Sequence, residues 1–382
     1  MIKVLFFEQV DSASGYYRIG IPQNEMGKQS LCSPRTLSGL RQMYGGNHKV
    51  FHEMSEKSLK VADILVIQMA AKLEMEMFFN WAKYKNIPVL IEVDDLVDKT
   101  TDWIDKITGD RAARHWLTRV HLWKQSDGFI CSTNYLSKHY GDKFSKPAYT
   151  FPNQLDFENY RWNVSPLRCR RERRQKQEKI VIGFMGSPSH APDLDIVKEV
   201  IKKILDEYSN VDFHFVGGTF SEFGFSKRIK FFTSTKHGTK NKIELQGEFF
   251  DSDDYPRYMA KWDIGIIPLA NAPFNLAKSD LKFLEYSRLS IPSVVSKTPT
   301  YRTVRDGVTG LLAGSGKEWY RQLVKLIESE KRRKEIGQKA FEYLRDFRQI
   351  SQHAGNYVKI LEKAIKLKGA KKKPSKLLMV QA

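Results

Sequence analysis

Short apolar runs recur along this chain, and few of them alternate with polar residues. They are Ile2–Phe7, Ala62–Gln68, Pro88–Val93 and Gly128–Ser132, then Ile180–Met185, Val211–Val216, Asp263–Leu269, Ser293–Ser296 and Thr309–Ala313. Unbroken apolar runs of this length suit strands covered on both faces, as in a parallel sheet. Between them lie helical stretches at Tyr16–Met26, Ala71–Lys85, Arg111–Gln125, Pro192–Tyr208, Asp253–Lys261 and Lys278–Leu289. In Pro192–Tyr208, Leu194, Val197, Ile201, Ile204, Leu205 and Tyr208 share one face at helical spacing. Strands alternating with helices predict an α/β fold. The alternation breaks once, over 153–178, where Pro152, Pro166 and the arginine-rich run 168–174 intervene. Two units are therefore expected, over residues 1–155 and 156–345. Residues 346–382 are expected to give a helix packing back towards the first unit, then a basic tail.

At 382 residues the chain is long enough for two cores, and 41% hydrophobic residues argue against general disorder. Cys32, Cys131 and Cys169 are scattered without a CxxC pair, which reads as reduced thiols. Met1–Val10 carries Lys3 and Glu8 in a short apolar run, so it reads as a strand rather than a signal peptide. No stretch approaches the roughly 20 apolar residues of a membrane span. A cytoplasmic protein is expected, with peripheral contact at the inner membrane face as an option. The formal charge of +19 is uneven: residues 331–382 hold 15 basic and 4 acidic residues. Such a concentration can draw in an anionic membrane or nucleic acid, or can simply be solvated.

In open parallel sheets, ligands bind beyond the C-terminal strand ends, where helix N-termini face anions. The most informative such loop is 268–286, in which a helix is expected to start near Lys278. Lys278 and Lys282 would then share a face, with Glu285 one turn on. Two cations suit a diphosphate and a carboxylate suits ribose hydroxyls, although a surface helix with a charge pair has the same pattern. Asp94 and Asp95 follow a strand and fit a general base or acceptor-orienting group, an imitation of a metal-binding D-x-D, or an N-cap. His190 fits a phosphate or sugar contact, or a packing role. The helix carrying Arg111, Arg114, Trp116, Arg119 and Trp123 could grip phosphates and stack on bases, but core packing of its tryptophans explains it as well. Residues 219–242 form a polar, basic insertion, longer than an ordinary connection.

The segment 268–286, followed by Ile291-Pro292-Ser293-Val294-Val295-Ser296 and Asp306-Gly307-Val308-Thr309-Gly310-Leu311-Leu312, resembles the donor-binding region of GT-B glycosyltransferases of the family-4 type. Gly183–His190 and Val216-Gly217-Gly218 resemble the first two strand ends of that domain, so the likeness runs from Ile180 to Ala313. Ser14–Arg18, Glu92–Asp95, Ser132-Thr133 and Phe151-Pro152-Asn153 resemble the N-terminal half of some members more loosely. The resemblance implies a GT-B fold, two Rossmann-like domains facing across a cleft. It implies transfer of a sugar from a UDP- or GDP-sugar to a hydroxyl with retention, without a metal or any cofactor beyond the nucleotide-sugar co-substrate. It places Gly15, Ser187, His190, Gly217, Gly247, Phe249, Asn275, Lys278, Ser279, Lys282 and Glu285 around the donor. Arg18, Asp94 and Asp95 fall on the acceptor side, with Asp94, Lys278 and Lys282 as catalytic groups. One departure stands out. The usual E-x7-E pair ends at Glu285, but its first position is Ala277, where Asn275 or Asp280 would have to substitute. Three partner readings follow: a surface or lipid-linked glycan as acceptor, a hydroxylated DNA base as acceptor, or an inactive protein that only binds nucleotide sugar or nucleic acid.

Overall fold

The computed structural model describes residues 1–8, 13–38, 59–98, 111–166, 169–170, 179–187, 190–217, 228–234, 247–250 and 255–370. Among these, two wholly parallel sheets form. The first contains β1 (Ile2–Glu8), β2 (Cys32–Ser38), β3 (Ile64–Gln68), β4 (Val89–Val93), β5 (Gly128–Cys131) and β6 (Ala148–Thr150), in the order β2-β1-β3-β4-β5-β6. The second contains β7 (Ile180–Met185), β8 (Val211–Val216), β9 (Ile229–Ser234), β10 (Gly247–Phe250), β11 (Ile264–Ile267), β12 (Ser293–Ser296) and β13 (Leu311–Ala313), in the order β10-β9-β8-β7-β11-β12-β13. β3 and β4 are buried at every residue, as their unbroken apolar runs predict.

Both orders reverse at one strand. The chain leaves β1 towards β2 and returns on its other side with β3. It leaves β7 towards β8 and returns on its other side with β11. Crevices open where neighbouring strands send their connections to opposite faces. The loops after β1 and β3, and those after β7 and β11, are therefore where each domain can take a ligand.

Several elements depart from the sequence expectation. The helix expected over Pro192–Tyr208 is two helices, Ala191–Asp195 and Lys198–Glu207, the second with Val200, Ile201, Ile204 and Leu205 inward. The region read as Tyr16–Met26 begins with a π-helical turn, Tyr16–Gly20, before the α-helix Ile21–Lys28 with Pro22 in its first turn. Pro22 is tolerated there because a first-turn N–H has no intrahelical partner. β9 lies within the stretch read as an insertion, pairing with β8 from Phe213↔Ile229 to Val216↔Phe232.

Close packing in the second sheet depends on two glycines. A Cβ on Gly183 would lie 1.9 Å from the Trp262 ring, and one on Gly265 would lie 2.4 Å from Tyr286. Residues 183 and 265 pair across β7 and β11. Their bare backbones let the two rings, set edge-on to each other at 5.5 Å between centroids, approach the sheet closely.

The domains share a core. One cluster runs from Phe6, Ile19 and Val66 through Phe151 to Tyr286, Ala354 and Tyr357. The long helix Ile350–Ala370 returns to the first domain, where Tyr357 lies 6.2 Å from Phe6 and 4.8 Å from Phe151 between ring centroids. Lys368 closes its far end on Asp127 at 2.8 Å. The chain thus crosses between domains twice, and the crossings bond to each other: the Leu155 amide donates to the Arg348 carbonyl and the Ile350 amide to the Leu155 carbonyl, each at 3.0 Å. Among the described residues no helix is long and apolar enough to cross a membrane.

Candidate active site

The second domain's crevice is organised by Asp193, a residue the sequence reading passed over. It sits in the short helix after the β7 loop, buried, and accepts three hydrogen bonds. The Ala270 amide donates to Oδ1 at 2.8 Å and the Asn275 side-chain amide at 2.9 Å, while Oδ2 lies 2.7 Å from His190 Nδ1. Burial pushes the Asp193 carboxyl up, but the His190 ring, the Ala270 amide and Lys282 outweigh it and hold it below the usual carboxylate range. With a proton on Nδ1, His190 presents Nε2 as an acceptor, 2.9 Å from the Lys282 ammonium. Burial, then Lys282, holds His190 down to about 4, so the ring is neutral. Burial and the Lys278 charge bring Lys282 down to about 8. The β7 and β8 loops touch at Gly217, whose φ of +102° suits glycine and where a Cβ would sit 3.0 Å from the Gly186 carbonyl. Ser187 is exposed beside them, its carbonyl accepting the His190 amide at 3.0 Å.

The two lysines are not on one helix, contrary to the spacing argument. The helix spans Leu281–Arg288 with Asp280 at its N-cap, so Lys278 and Ser279 precede it. Asp280 is fixed by a buried guanidinium: Arg348 Nη1 and Nη2 lie 2.7 and 3.0 Å from its two oxygens, and Thr303 donates to it at 2.9 Å. This pins where the helix begins. Lys278 turns across the cleft, its ammonium 3.0 Å from Asp95 and 4.4 Å from the Phe274 ring centre. Ser279 accepts from Asn153 of the interdomain crossing at 2.8 Å. Ala277 is wholly buried and its carbonyl accepts from Thr133 at 3.1 Å. The two candidates to replace a carboxylate there are otherwise engaged, Asp280 by Arg348 and Asn275 by Asp193 and by the Ala270 carbonyl at 2.9 Å.

Glu285 faces the same space from the next turn and is buried. The Tyr17 and Tyr255 hydroxyls donate to its Oε1 at 2.7 and 2.9 Å. Burial raises its carboxyl to about 7. Tyr17 comes from the first domain, so this contact also spans the cleft.

Opposite, the first domain's crevice gathers the loops after β1, β3 and β4. Ser14 donates to Asp94 and accepts from Gln68 at 2.8 Å. Burial, then the adjacent Asp95, raises the Asp94 carboxyl. Gly15 is buried with helical φ and ψ (−57°, −47°), so its place in the loop does not depend on glycine's left-handed freedom. Arg18, expected on the acceptor side, is 1% exposed and serves the interior. Its Nε lies 2.5 Å from Glu92, and Nη1 donates to the Phe151 carbonyl at 2.8 Å and to Asn153 at 2.7 Å. Burial disfavours its charge and Glu92 more than restores it. Arg18 thus ties β4 to the crossing that holds Ser279.

Gly247 and Phe249 fall in β10, whose side chains lie outside the described residues, as do Ser189, Gly218 and Lys371–Lys373. Arg170, from the arginine-rich run, caps the helix Leu281–Arg288 by donating to the Leu289 carbonyl at 3.0 Å. On Arg111–Gln125, Trp123 is wholly buried and donates to the Ala70 carbonyl at 2.9 Å, with Trp116 edge-on to it. These tryptophans pack the core. Among the described residues no group of three or more His, Cys, Asp or Glu is placed to hold a metal ion.

Residues 179–329 match the family model for glycosyl transferases group 1. TuaH of Bacillus subtilis (strain 168), a protein whose name assigns it to teichuronic acid biosynthesis as a glycosyltransferase, is 26% identical over 186 residues. That match covers 47% of this chain and 43% of TuaH, so it spans under half of the relative's length. Among solved structures, Anabaena Alr3699/HepE in complex with UDP-glucose superposes with a TM-score of 0.66 at 14% identity, over 95% of this chain and 100% of that one. A glycosyltransferase from Rickettsia africae ESF-5 gives 0.64 at 12% identity, over 96% and 99%. Sucrose-phosphate synthase from Thermosynechococcus elongatus gives 0.64 at 10%, over 95% and 100%. At these identities the superpositions carry the fold, and the family match carries the second domain. Residues 179–329 thus match the model for glycosyl transferases group 1, within the second half of a chain that has the GT-B fold.

Proposed function

We propose that this protein transfers a sugar from a nucleotide sugar, in the first instance a UDP-sugar, to an acceptor hydroxyl. One observation carries the reading: Lys278 and neutral His190, from the loops after β11 and β7, converge with Lys282 in the first turn of the helix Leu281–Arg288, opposite Asp94 and Asp95 from the first domain. Sugar transfer leaves negative charge on the departing diphosphate, and cations already in place stabilise it without reorganisation. Lys278 and Lys282 supply that charge in this reading, and no metal is required. His190 aims Lys282 by accepting one of its three N–H bonds, which leaves two for phosphate oxygens. Glu285 receives the ribose, Ser187 and the Gly217 turn border the phosphates, and Ser279 and Asn275 act by fixing the loop. Asp94 orients the acceptor hydroxyl or takes its proton. The superposition on a structure holding UDP-glucose supports the choice of UDP, and the likeness to TuaH supports a surface glycan as acceptor. Retention of anomeric configuration belongs to the same proposal.

Lys282→Ala tests the reading. The variant is expected to lose hydrolysis of UDP-glucose while its unfolding temperature stays within a few degrees of wild type, and wild-type hydrolysis in the variant would refute the site. Transfer is expected to persist in excess EDTA, and loss of activity restored by a divalent cation would refute the metal-free part.

A further inference from the structure

The groups read as the donor's binding partners already hold partners within the protein. Lys278, from the second domain, is paired at 3.0 Å with Asp95 of the first, their side chains 23% and 42% exposed. Glu285 is bonded by the hydroxyl of Tyr17, also from the first domain. A carboxylate thus occupies the cation that would meet a diphosphate, and a phenol hydroxyl occupies the carboxylate that would meet a ribose. The Lys282–His190 contact, by contrast, lies within one domain and leaves the ammonium two further donors.

We propose that Asp95 is an internal stand-in for the donor diphosphate, a carboxylate that the incoming nucleotide must displace from Lys278 and that thereby sets donor affinity. This rests on the nucleotide-sugar reading above. The geometry makes the exchange chemically matched, because one ammonium swaps a single-charged oxygen acceptor for phosphate oxygens of higher charge. Both side chains are partly exposed, so the pair costs the donor little to break. The displaced Asp95 stays beside Asp94 on the acceptor side. Wild-type affinity is therefore a difference between two ion pairs.

Calorimetric titration with UDP and with uridine tests this. Asp95→Asn is expected to tighten UDP roughly 2- to 5-fold, the range for removing a competing partly exposed ion pair. It is expected to leave uridine, which has no phosphate, unchanged. In a Lys278→Ala background the same substitution is expected to have no effect on UDP. Weaker or unchanged UDP binding in Asp95→Asn would overturn the proposal, as would equal tightening of UDP and uridine. Asp95→Ser repeats the measurement should the asparagine variant melt early. If wild type binds UDP and Lys282→Ala does not, while Asp95→Asn fails to tighten it, the stand-in idea fails and the donor site survives. If Lys282→Ala binds UDP like wild type, the donor site itself is wrong.

Discussion

At the scale of single residues, the site is governed by how burial and neighbours set protonation. Lys282 loses basicity because it is buried and faces a second ammonium, bringing it to about 8. An arriving diphosphate favours the charged form, so binding takes up a proton wherever free Lys282 is neutral. UDP affinity is therefore expected to be flat with respect to this group below about 8 and to fall above it, approaching tenfold per pH unit. Glu285, raised to about 7, ionises in the same region and adds its own slope. The two are separable with Lys282→Arg, whose guanidinium stays charged and removes only the alkaline fall. Titrations from pH 6 to 10 on both proteins check this. A fall that persists unchanged in the arginine variant would assign it to another group. Asp193 teaches a different lesson. It binds groups 77 and 82 residues away in sequence, and nothing in its local pattern marks it. Asp193→Ala strips an acceptor from the half-buried Ala270 amide, the buried Asn275 side chain and the His190 ring, at about 1–3 kcal/mol for each group left unsatisfied. Urea unfolding should register the loss.

At the scale of elements, the helix Leu281–Arg288 has its first residue set by tertiary contacts. Arg348 holds the Asp280 carboxylate with two bonds in a buried setting. Removing one partner of such a pair leaves a buried charge uncompensated, so Arg348→Ala is expected to destabilise the protein by about 3–5 kcal/mol. Asp280→Asn with Arg348→Met removes both charges and should recover much of that loss in urea unfolding. The same contact explains why the helix starts later than its sequence predicts: the spacing of Lys278 and Lys282 fits a helix, but Asp280 is claimed from another helix junction. Element types were legible where both faces are buried. β1, β3, β4, β7, β8, β11, β12 and β13 all appear as apolar runs. β2, with sequence CSPRTLS, lies at a sheet edge and contains Pro34, which edges accept and interiors do not. β6 is three half-buried residues at the other edge. Neither has the unbroken apolar signature that made those eight readable. Lys278, Lys282 and Glu285 were expected near the cleft because their segment follows the C-terminal end of an apolar strand. Their partners Tyr17, Tyr255 and Asp95 come from a π-helical turn, a short helix and the loop after β4, and their contacts could be placed only by the fold.

At the scale of the whole molecule, the return of Ile350–Ala370 to the first domain makes the two halves one folding unit. Tyr357 fills the space between Phe6 and Phe151, and truncating a large buried aromatic ring costs about 3–5 kcal/mol. Tyr357→Ala should lower the unfolding temperature and speed proteolysis of the crossing near Leu155. Single-transition melting of that variant at the wild-type temperature would show that the helix is an ornament. The paired crossings have a mechanical corollary. Two backbone strands laced by reciprocal amide–carbonyl bonds resist twisting about each other far better than one strand would. The halves should therefore open and shut as covers about a spine, so that Asp95 and Lys278 separate and meet along one repeatable arc.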